Sequence, residues 1–162
     1  MKATAQAADL LKKHASEGGF FHIVSHLDAD GLAAAGVIGT ALARLDGKFR
    51  IRIERWIDER VIKDASVNEN ALVILCDMGS GEIGSLNKHL KNRRLVILDH
   101  HQPVGESDPD FAHVNPHVFG IDGSRDLSSS GITYFVTKAL DKINMDLAGV
   151  AVVGALGDLQ DK

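Results

Sequence analysis

Acidic residues in this sequence follow directly after short apolar segments. Several carboxylates placed together repel one another by several kcal/mol unless cations neutralise them. Carboxylate oxygens mixed with one or two imidazole nitrogens suit manganese or magnesium, whereas zinc favours more histidines or a cysteine. The groups are Asp28 and Asp30 in the segment HLDADG (residues 26–31), Asp77, and Asp99 with His100. Together they predict a divalent metal site.

A simpler interpretation exists for each aspartate alone. Aspartate is a favoured N-cap, so an aspartate after a strand often only begins the next helix. For Asp28, Asp30 or Asp77 taken singly, that interpretation is the better one. Convergence of all three groups at one place favours the metal site instead.

His100 and His101 are adjacent, and neighbours on an extended chain point in opposite directions. The following Gln102-Pro103 ends the strand, so a turning loop can bring both rings inward. Asp158 follows a small-residue helix, where glycine costs about 1 kcal/mol unless another backbone must come close. Gly154 and Gly157 on that helix therefore indicate a helix pressed against the site, which could deliver Asp158.

The elements that must position these residues alternate between strands and helices. Apolar runs without alternation, as at 71–76 and 94–98, are typical of strands buried on both faces, whereas the alternating FRIRIE indicates an edge strand. This order predicts an α/β fold with a mainly parallel sheet flanked by helices on both faces, whose ligands bind at the carboxyl ends of the strands. Strands are predicted at 20–25, 49–54, 71–76, 94–98 and 111–115, helices at 3–15, 32–45, 82–90, 130–142 and 146–156, with 56–65 left unassigned.

Composition narrows the class of protein. With 162 residues, 44% hydrophobic and 25% charged, the chain fits one globular domain and excludes disordered, collagen-like and coiled-coil classes. Its net charge of −4 argues against nucleic-acid binding by bulk positive charge. No segment is apolar enough to predict a signal peptide or a membrane span, and a single cysteine excludes an internal disulfide, so we expect a soluble cytoplasmic protein without membrane association.

The motifs in this order resemble those of the DHH phosphoesterase superfamily. Each motif is short, but the ordered set covers most of the chain. The first motif resembles the RecJ-like exonuclease branch, because the family's pyrophosphatases and small-nucleotide phosphodiesterases usually carry histidine four residues before the first aspartate, where this chain has Val24. The matching segments are HLDADG at 26–31, Asp77 after an apolar strand, Asp99-His100-His101, Asn115-Pro116 before Ser129-Ser130-Gly131, and Gly157-Asp158.

The resemblance implies a phosphoesterase with two Mn²⁺ or Mg²⁺ ions, which would activate a water for attack at phosphorus. Asp77 and Asp158 would contribute to both metal sites. His101 would face the substrate phosphate and Asp99 would orient His100. The segment Ser129-Ser130-Gly131 at a helix N-terminus would offer its amides to a phosphate. The implied metal ligands are His26, Asp28, Asp30, Asp77, His100 and Asp158.

Three functions remain open. The first is a RecJ-like exonuclease acting on single-stranded DNA or RNA ends, with a replication or repair protein as a possible partner. The second is a manganese-dependent hydrolase of pyrophosphate or of cyclic or short oligonucleotides, and the third is a noncatalytic replication scaffold, which the filled ligand positions disfavour. Family members continue into a C-terminal substrate-binding domain, so we expect residues 1–162 to be a DHH catalytic domain that lacks it and binds single strands weakly.

Overall fold

Five strands form one sheet in the computed structural model, which describes residues 2–160. The strand order is β2-β1-β3-β4-β5, and every neighbouring pair is parallel. The strands are β1 (Phe20–His26), β2 (Lys48–Glu54), β3 (Leu72–Cys76), β4 (Leu95–Leu98) and β5 (Ala112–Val114). The helices are α1 (Lys2–Ser16), α2 (Ala29–Ala43), α3 (Glu59–Ser66), α4 (Ile83–His89), α5 (Ser129–Leu140) and α6 (Ala148–Gly157).

Helices cover both faces of the sheet and create two apolar cores. Successive side chains of a strand point to opposite faces, so Ile74 of β3 packs in one core and Val73 in the other. The first core contains α1, α2 and α5, and the second contains α3 and α4. All five residues of β3 and all four of β4 are buried, as the unbroken apolar runs predict.

The predicted α/β class, the parallel sheet and the helices on both faces are confirmed. The alternating segment is β2 at one edge of the sheet, and the unassigned segment 56–65 contains most of α3. Helix α2 begins at Ala29 rather than at the expected Leu32, because Asp28 accepts a hydrogen bond from the amide of Gly31. Within residues 2–160, no helix combines the length and the apolar character that crossing a membrane requires.

Close packing brings α6 against α2 and α5. A Cβ atom added at Gly154 would lie 2.3 Å from Ser130 Oγ and 2.8 Å from Ala33 Cβ, and one added at Gly157 would lie 2.4 Å from Ala29 Cβ. These distances are too short for real atoms, so only glycine permits this approach. The sequence argument for a pressed helix is confirmed, and α6 ends beside the beginning of α2.

Candidate metal centre

The adjacent strands β1, β3 and β4 end beside one another, and their acids and histidines come together there. Parallel strands place their carboxyl ends at one edge of the sheet. Three overlapping groups result, in each of which one ligand atom per residue lies within 4.8 Å of the others. The groups are Asp77 with His100 and His101, His26 with Asp28 and Asp77, and Asp30 with His100 and Asp158.

Asp77 is at the centre of this cluster. Its side chain is 1% exposed, and neither carboxylate oxygen has a hydrogen-bond partner. His100 Nε2 lies 3.3 Å from Oδ1 and His26 Nδ1 lies 3.4 Å from Oδ2. Burial raises the pKa of Asp77 to about 6; the adjacent His100 opposes this rise, and the charges of Asp30 and Asp28 add to it. A buried carboxylate whose two oxygens lack donors is what a cation site requires.

The backbone of Asp77 is also unusual, with a φ of 59° in the left-handed region. Non-glycine residues adopt this conformation seldom, and asparagine and aspartate do so most readily. The turn directs the chain out of β3 at the level where β1 and β4 end. Its backbone amide donates to the carbonyl of Leu98, which ties the turn to the end of β4.

Asp28 is both a cap and a member of the cluster. Its Oδ1 accepts from the Gly31 amide at 2.9 Å, and its Oδ2 lies 2.7 Å from His26 Nδ1. Asp28 is therefore both a helix N-cap and a candidate metal ligand. One oxygen caps α2, and the other lies beside His26 in a ligand group. Burial would raise the pKa of Asp28, but the Gly31 amide and its other neighbours hold it below the ordinary value.

Asp30 is 1% exposed and joins two distant parts of the chain. Its carboxylate accepts from the backbone amides of Ser129 at 2.7 Å and Ser130 at 3.0 Å, at the start of α5. The Gly131 amide donates to Ser128 Oγ. The prediction that Ser129, Ser130 and Gly131 offer amides to a phosphate needs correction, because all three amides already have acceptors within the chain. Two of them hold Asp30 in place.

His100 is oriented by a backbone carbonyl. Its Nδ1 donates to the carbonyl of Gly123 at 2.8 Å, which leaves Nε2 beside Asp77. Burial alone would lower the pKa of His100, but interactions with Asp77, the Gly123 carbonyl and Asp158 raise it to about 9. The expectation that Asp99 orients this ring is wrong.

Asp99 instead orients His101. It is fully buried, its Oδ1 accepts from His101 Nδ1 at 2.8 Å and from the His101 amide at 3.2 Å, and its Oδ2 accepts from the Ser80 amide at 2.8 Å. Burial would raise the pKa of Asp99, but hydrogen bonds from His101 and Ser80 hold it at about 2. The bond with Asp99 in turn raises the pKa of His101. His100 turns inward and His101, with 54% of its side chain exposed, turns toward a pocket.

Asp158 reaches the cluster from the end of α6. Its Oδ2 lies 3.6 Å from His100 Nδ1 and accepts from Gln160 Nε2 at 3.1 Å. The same Gln160 amide donates to the Gly123 carbonyl at 2.8 Å. Burial raises the pKa of Asp158. Asp158 belongs to one metal group, whereas Asp77 and His100 each belong to two.

Sequence reasoning missed several supporting residues. The Gly123 carbonyl accepts from His100, and Gln160 donates to that carbonyl and to Asp158; both residues lie outside the helices and strands, where no periodic pattern indicates a role. Asn115 donates to the His101 carbonyl at 2.8 Å and to Ser80 Oγ at 2.9 Å. The sequence marks Asn115 only as part of a motif, and its polar side chain after an apolar strand is the signal that could have indicated this role.

A pocket of about 270 Å³ opens beside the cluster. It is lined by His26, Asp77 and His101 of the cluster and by the segment Arg55–Ile57 between β2 and α3. A larger cavity of about 430 Å³ lies around His14 and Arg94, at the amino ends of the strands. The smaller pocket is the one beside the candidate ligand groups, because His26, Asp77 and His101 line it.

Comparison with known proteins identifies similar sequences and similar folds. An uncharacterised protein of Methanocaldococcus jannaschii is 36% identical over 149 residues, which cover 88% of this chain and 33% of that protein. The DHH domain of a protein described as a member of a family of ribosomal proteins superposes with a TM-score of 0.86 at 22% identity, over 99% of this chain and 44% of that one. RecJ from Thermus thermophilus in complex with Mn²⁺ superposes with a TM-score of 0.80 at 24% identity, over 98% and 24% of the two chains.

This chain thus spans about a third of the curated relative and less than half of either solved chain. The family described as "DHH family, N-terminal domain" matches residues 21–155, which run from β1 into α6 and contain most of the cluster. Asp77, Asp99, His100 and His101 stand within the matched region, at the strand ends where the fold brings them together. The chain belongs to the DHH family.

Proposed function

We propose that this chain is a metal-dependent phosphoesterase domain that hydrolyses phosphodiester bonds at the ends of single-stranded DNA or RNA. The observation that carries the proposal is Asp77, a buried carboxylate without a hydrogen-bond donor on either oxygen, shared by two ligand groups. Oxygen-rich groups with imidazole suit Mn²⁺ or Mg²⁺. Two ions would be held by His26, Asp28, Asp30, Asp77, His100 and Asp158.

Divalent cations at this centre would supply an activated water and neutralise charge on the phosphoryl oxygens. The chain's own residues prepare the site for them. Asp30 is fixed by two amides and His100 by the Gly123 carbonyl, so both are held before any ligand arrives. Little reordering is then required on binding, which favours affinity.

His101 is suited to contact the substrate phosphate. Because Nδ1 donates to Asp99, Nε2 is the ring nitrogen left for a ligand in the pocket. Asp99 favours the protonated ring, whose Nε2 would donate to an anionic oxygen. Such a donor stabilises charge that develops on the phosphoryl group.

The nucleic-acid substrate is inferred from the family and from the resemblance to RecJ. The HLDADG motif places His26 two residues before Asp28, as in the RecJ-like branch, and His26 lies in a ligand group in this structure. A replication or repair protein is the partner that fits an enzyme of this class. The −4 charge means that binding of long strands depends on the metal ions or on residues outside this chain.

A second candidate is a manganese-dependent hydrolase of small phosphoesters. The observation in its favour is the pocket of about 270 Å³, which is slightly smaller than the roughly 300–1,000 Å³ of small-molecule sites and so suits a small ligand. Pyrophosphate or a short or cyclic oligonucleotide would fit it. This candidate uses the same metal centre and the same His101.

The decisive experiment compares substrates with one preparation. The chain is supplied with Mn²⁺ and given labelled single strands, pyrophosphate and a cyclic dinucleotide, with the Asp77→Asn variant as control. We expect Mn²⁺-dependent shortening of strands from an end, abolished by Asp77→Asn. Rapid turnover of pyrophosphate with intact strands would replace the first function with the second, and no hydrolysis of any substrate despite bound metal would contradict both.

A further inference from the structure

One of the residues that line the pocket beside the acidic cluster is an exposed aromatic side chain. Trp56 follows β2 in the short connection to α3, is 63% exposed and lines the pocket that His101 and Asp77 also line. It is the single tryptophan of the chain. An indole in water is a large apolar surface, and exposed tryptophans are typical of binding sites when they border a pocket.

Arg55 holds the indole in a defined orientation. Its guanidinium carbon lies 4.6 Å from the centre of the Trp56 ring, which is within the range of a cation–π contact. One face of the ring is therefore covered, and the ring is still largely exposed. A flat ring fixed in this way loses little conformational entropy when a second flat group stacks on it.

The pocket has both parts that a nucleotide requires. His26, Asp77 and His101 line the pocket and belong to the ligand groups beside which a phosphate would lie, and Trp56 lines the same pocket. The volume of about 270 Å³ suits one nucleotide unit rather than several. Within residues 2–160, Trp56 is the only tryptophan, tyrosine or phenylalanine that lines this pocket, so one base at most can stack there.

We propose that Trp56 stacks on the base of the nucleotide whose phosphate lies at the metal centre, so that the substrates are nucleotide esters rather than inorganic phosphates. This inference rests on the proposed phosphoesterase function. Stacking tolerates any sequence, because every base has a π-face. Trp56 is therefore a specificity-determining residue for the presence of a base and not for its identity.

The single tryptophan provides a direct binding signal. With Mg²⁺ present, thymidine 5′-monophosphate is titrated into the chain while its intrinsic fluorescence is followed, and ribose 5-phosphate serves as the matched ligand without a base. We expect saturable quenching with the nucleotide and none with the sugar phosphate. Equal responses to both ligands, or no response to the nucleotide, would overturn the proposal.

Kinetics provide an independent test. Wild type should hydrolyse a dithymidine phosphodiester with a KM about 5- to 150-fold lower than that of the same diester with an abasic residue, the factor that stacking of one base confers. Trp56→Ala should remove this difference by raising the KM of the dithymidine diester to that of the abasic one, whereas Trp56→Phe should retain part of it. Phe135→Ala is the matched control, since Phe135 is 47% exposed on α5 and does not line the pocket.

The two proposals fail in different ways. No turnover of either diester would contradict the proposed function, while quenching by the nucleotide alone would still support stacking. Turnover of both diesters with equal KM in wild type would support phosphoesterase activity and overturn the role of Trp56.

Discussion

The carboxylate of Asp30 accepts a 2.7 Å hydrogen bond from the backbone amide of Ser129, 99 residues further along the chain. The second oxygen accepts from Ser130 at 3.0 Å, and the whole contact is buried. A carboxylate in the first turn of α2 thus accepts from the first two amides of α5. The same residue belongs to the ligand group that contains His100 and Asp158. Asp30 is therefore expected to contribute both to the stability of the fold and to metal binding.

Asp30→Ala should destabilise the protein by about 3–5 kcal/mol, because two buried amides lose a charged acceptor. Asp28→Ala is the matched control on the same turn, where loss of an N-cap bond on a half-exposed residue costs about 1 kcal/mol. Urea denaturation of both variants in EDTA measures the difference. Equal losses would show that the Ser129 and Ser130 bonds are not the source.

Asp77→Asn should weaken both metal groups to which Asp77 belongs, whereas His26→Ala should weaken only one. Loss of a shared carboxylate removes the charge that allows two cations to lie close together. Calorimetric titration with Mn²⁺ reports the number of sites and their affinities. Two unaltered sites in Asp77→Asn would contradict the shared role.

The metal-free protein should lose stability as pH rises from about 4 to about 6. Folding raises the pKa of Asp77 from 3.8 to about 6, so the folded state keeps this proton to higher pH than the unfolded state does. The free energy of unfolding therefore falls by about 3 kcal/mol as pH rises between these two values. His100, whose pKa is raised to about 9, adds stability that is lost as pH rises through that value. Denaturation at several pH values in EDTA measures both slopes, and Asp77→Asn should abolish the lower one. If the free energy of unfolding of Asp77→Asn falls as steeply with pH as that of wild type, the slope belongs to other groups.

Gly154→Ala should destabilise the protein by about 1–3 kcal/mol or more and weaken the group that includes Asp158, since the added Cβ would overlap Ser130 and Ala33. Gly149→Ala is the control on the same helix, where an added Cβ meets nothing within 4 Å and helix propensity improves by up to about 1 kcal/mol. Thermal denaturation and Mn²⁺ titration check both. Similar effects in the two variants would rule out close packing as the cause.

Asp99→Asn should reduce kcat by about 10- to 100-fold while the cluster still binds Mn²⁺, because Asp99 positions His101 and belongs to none of the three ligand groups. The pKa of His101 should fall without the carboxylate, which moves the limb of the pH–rate profile that depends on the protonated ring to lower pH. The test measures kcat over a range of pH for wild type and Asp99→Asn, with Mn²⁺ titration of both proteins as the control. A loss of metal equal to the loss of rate would assign Asp99 to metal binding.

Much of this centre was predictable from the sequence because parallel strands bring their ends together whatever the details of the loops. Asp28, Asp77 and His100 follow three buried strands, and that rule alone places them side by side. The small residues of α6 predicted a close approach, and Gly154 and Gly157 do face atoms that a methyl group would strike.

The orientation of individual rings was not predictable in the same way. Whether Asp99 bonds to His100 or His101 depends on the backbone of one turn after β4, which apolar patterning does not encode. The Ser129 and Ser130 amides looked free for phosphate, since a pattern of local residues does not reveal an acceptor 99 positions away. The Gly123 carbonyl carries no side-chain signal at all.

The left-handed backbone of Asp77 restricts which residues can replace it. A φ of 59° is tolerated by aspartate, asparagine and glycine and opposed by branched side chains, so few single substitutions at this position leave the turn after β3 intact. The same position is constrained a second time by its carboxylate, which belongs to two of the three ligand groups. Backbone and side chain therefore favour the same residue at position 77, since aspartate both adopts this turn and offers two oxygens to a cation.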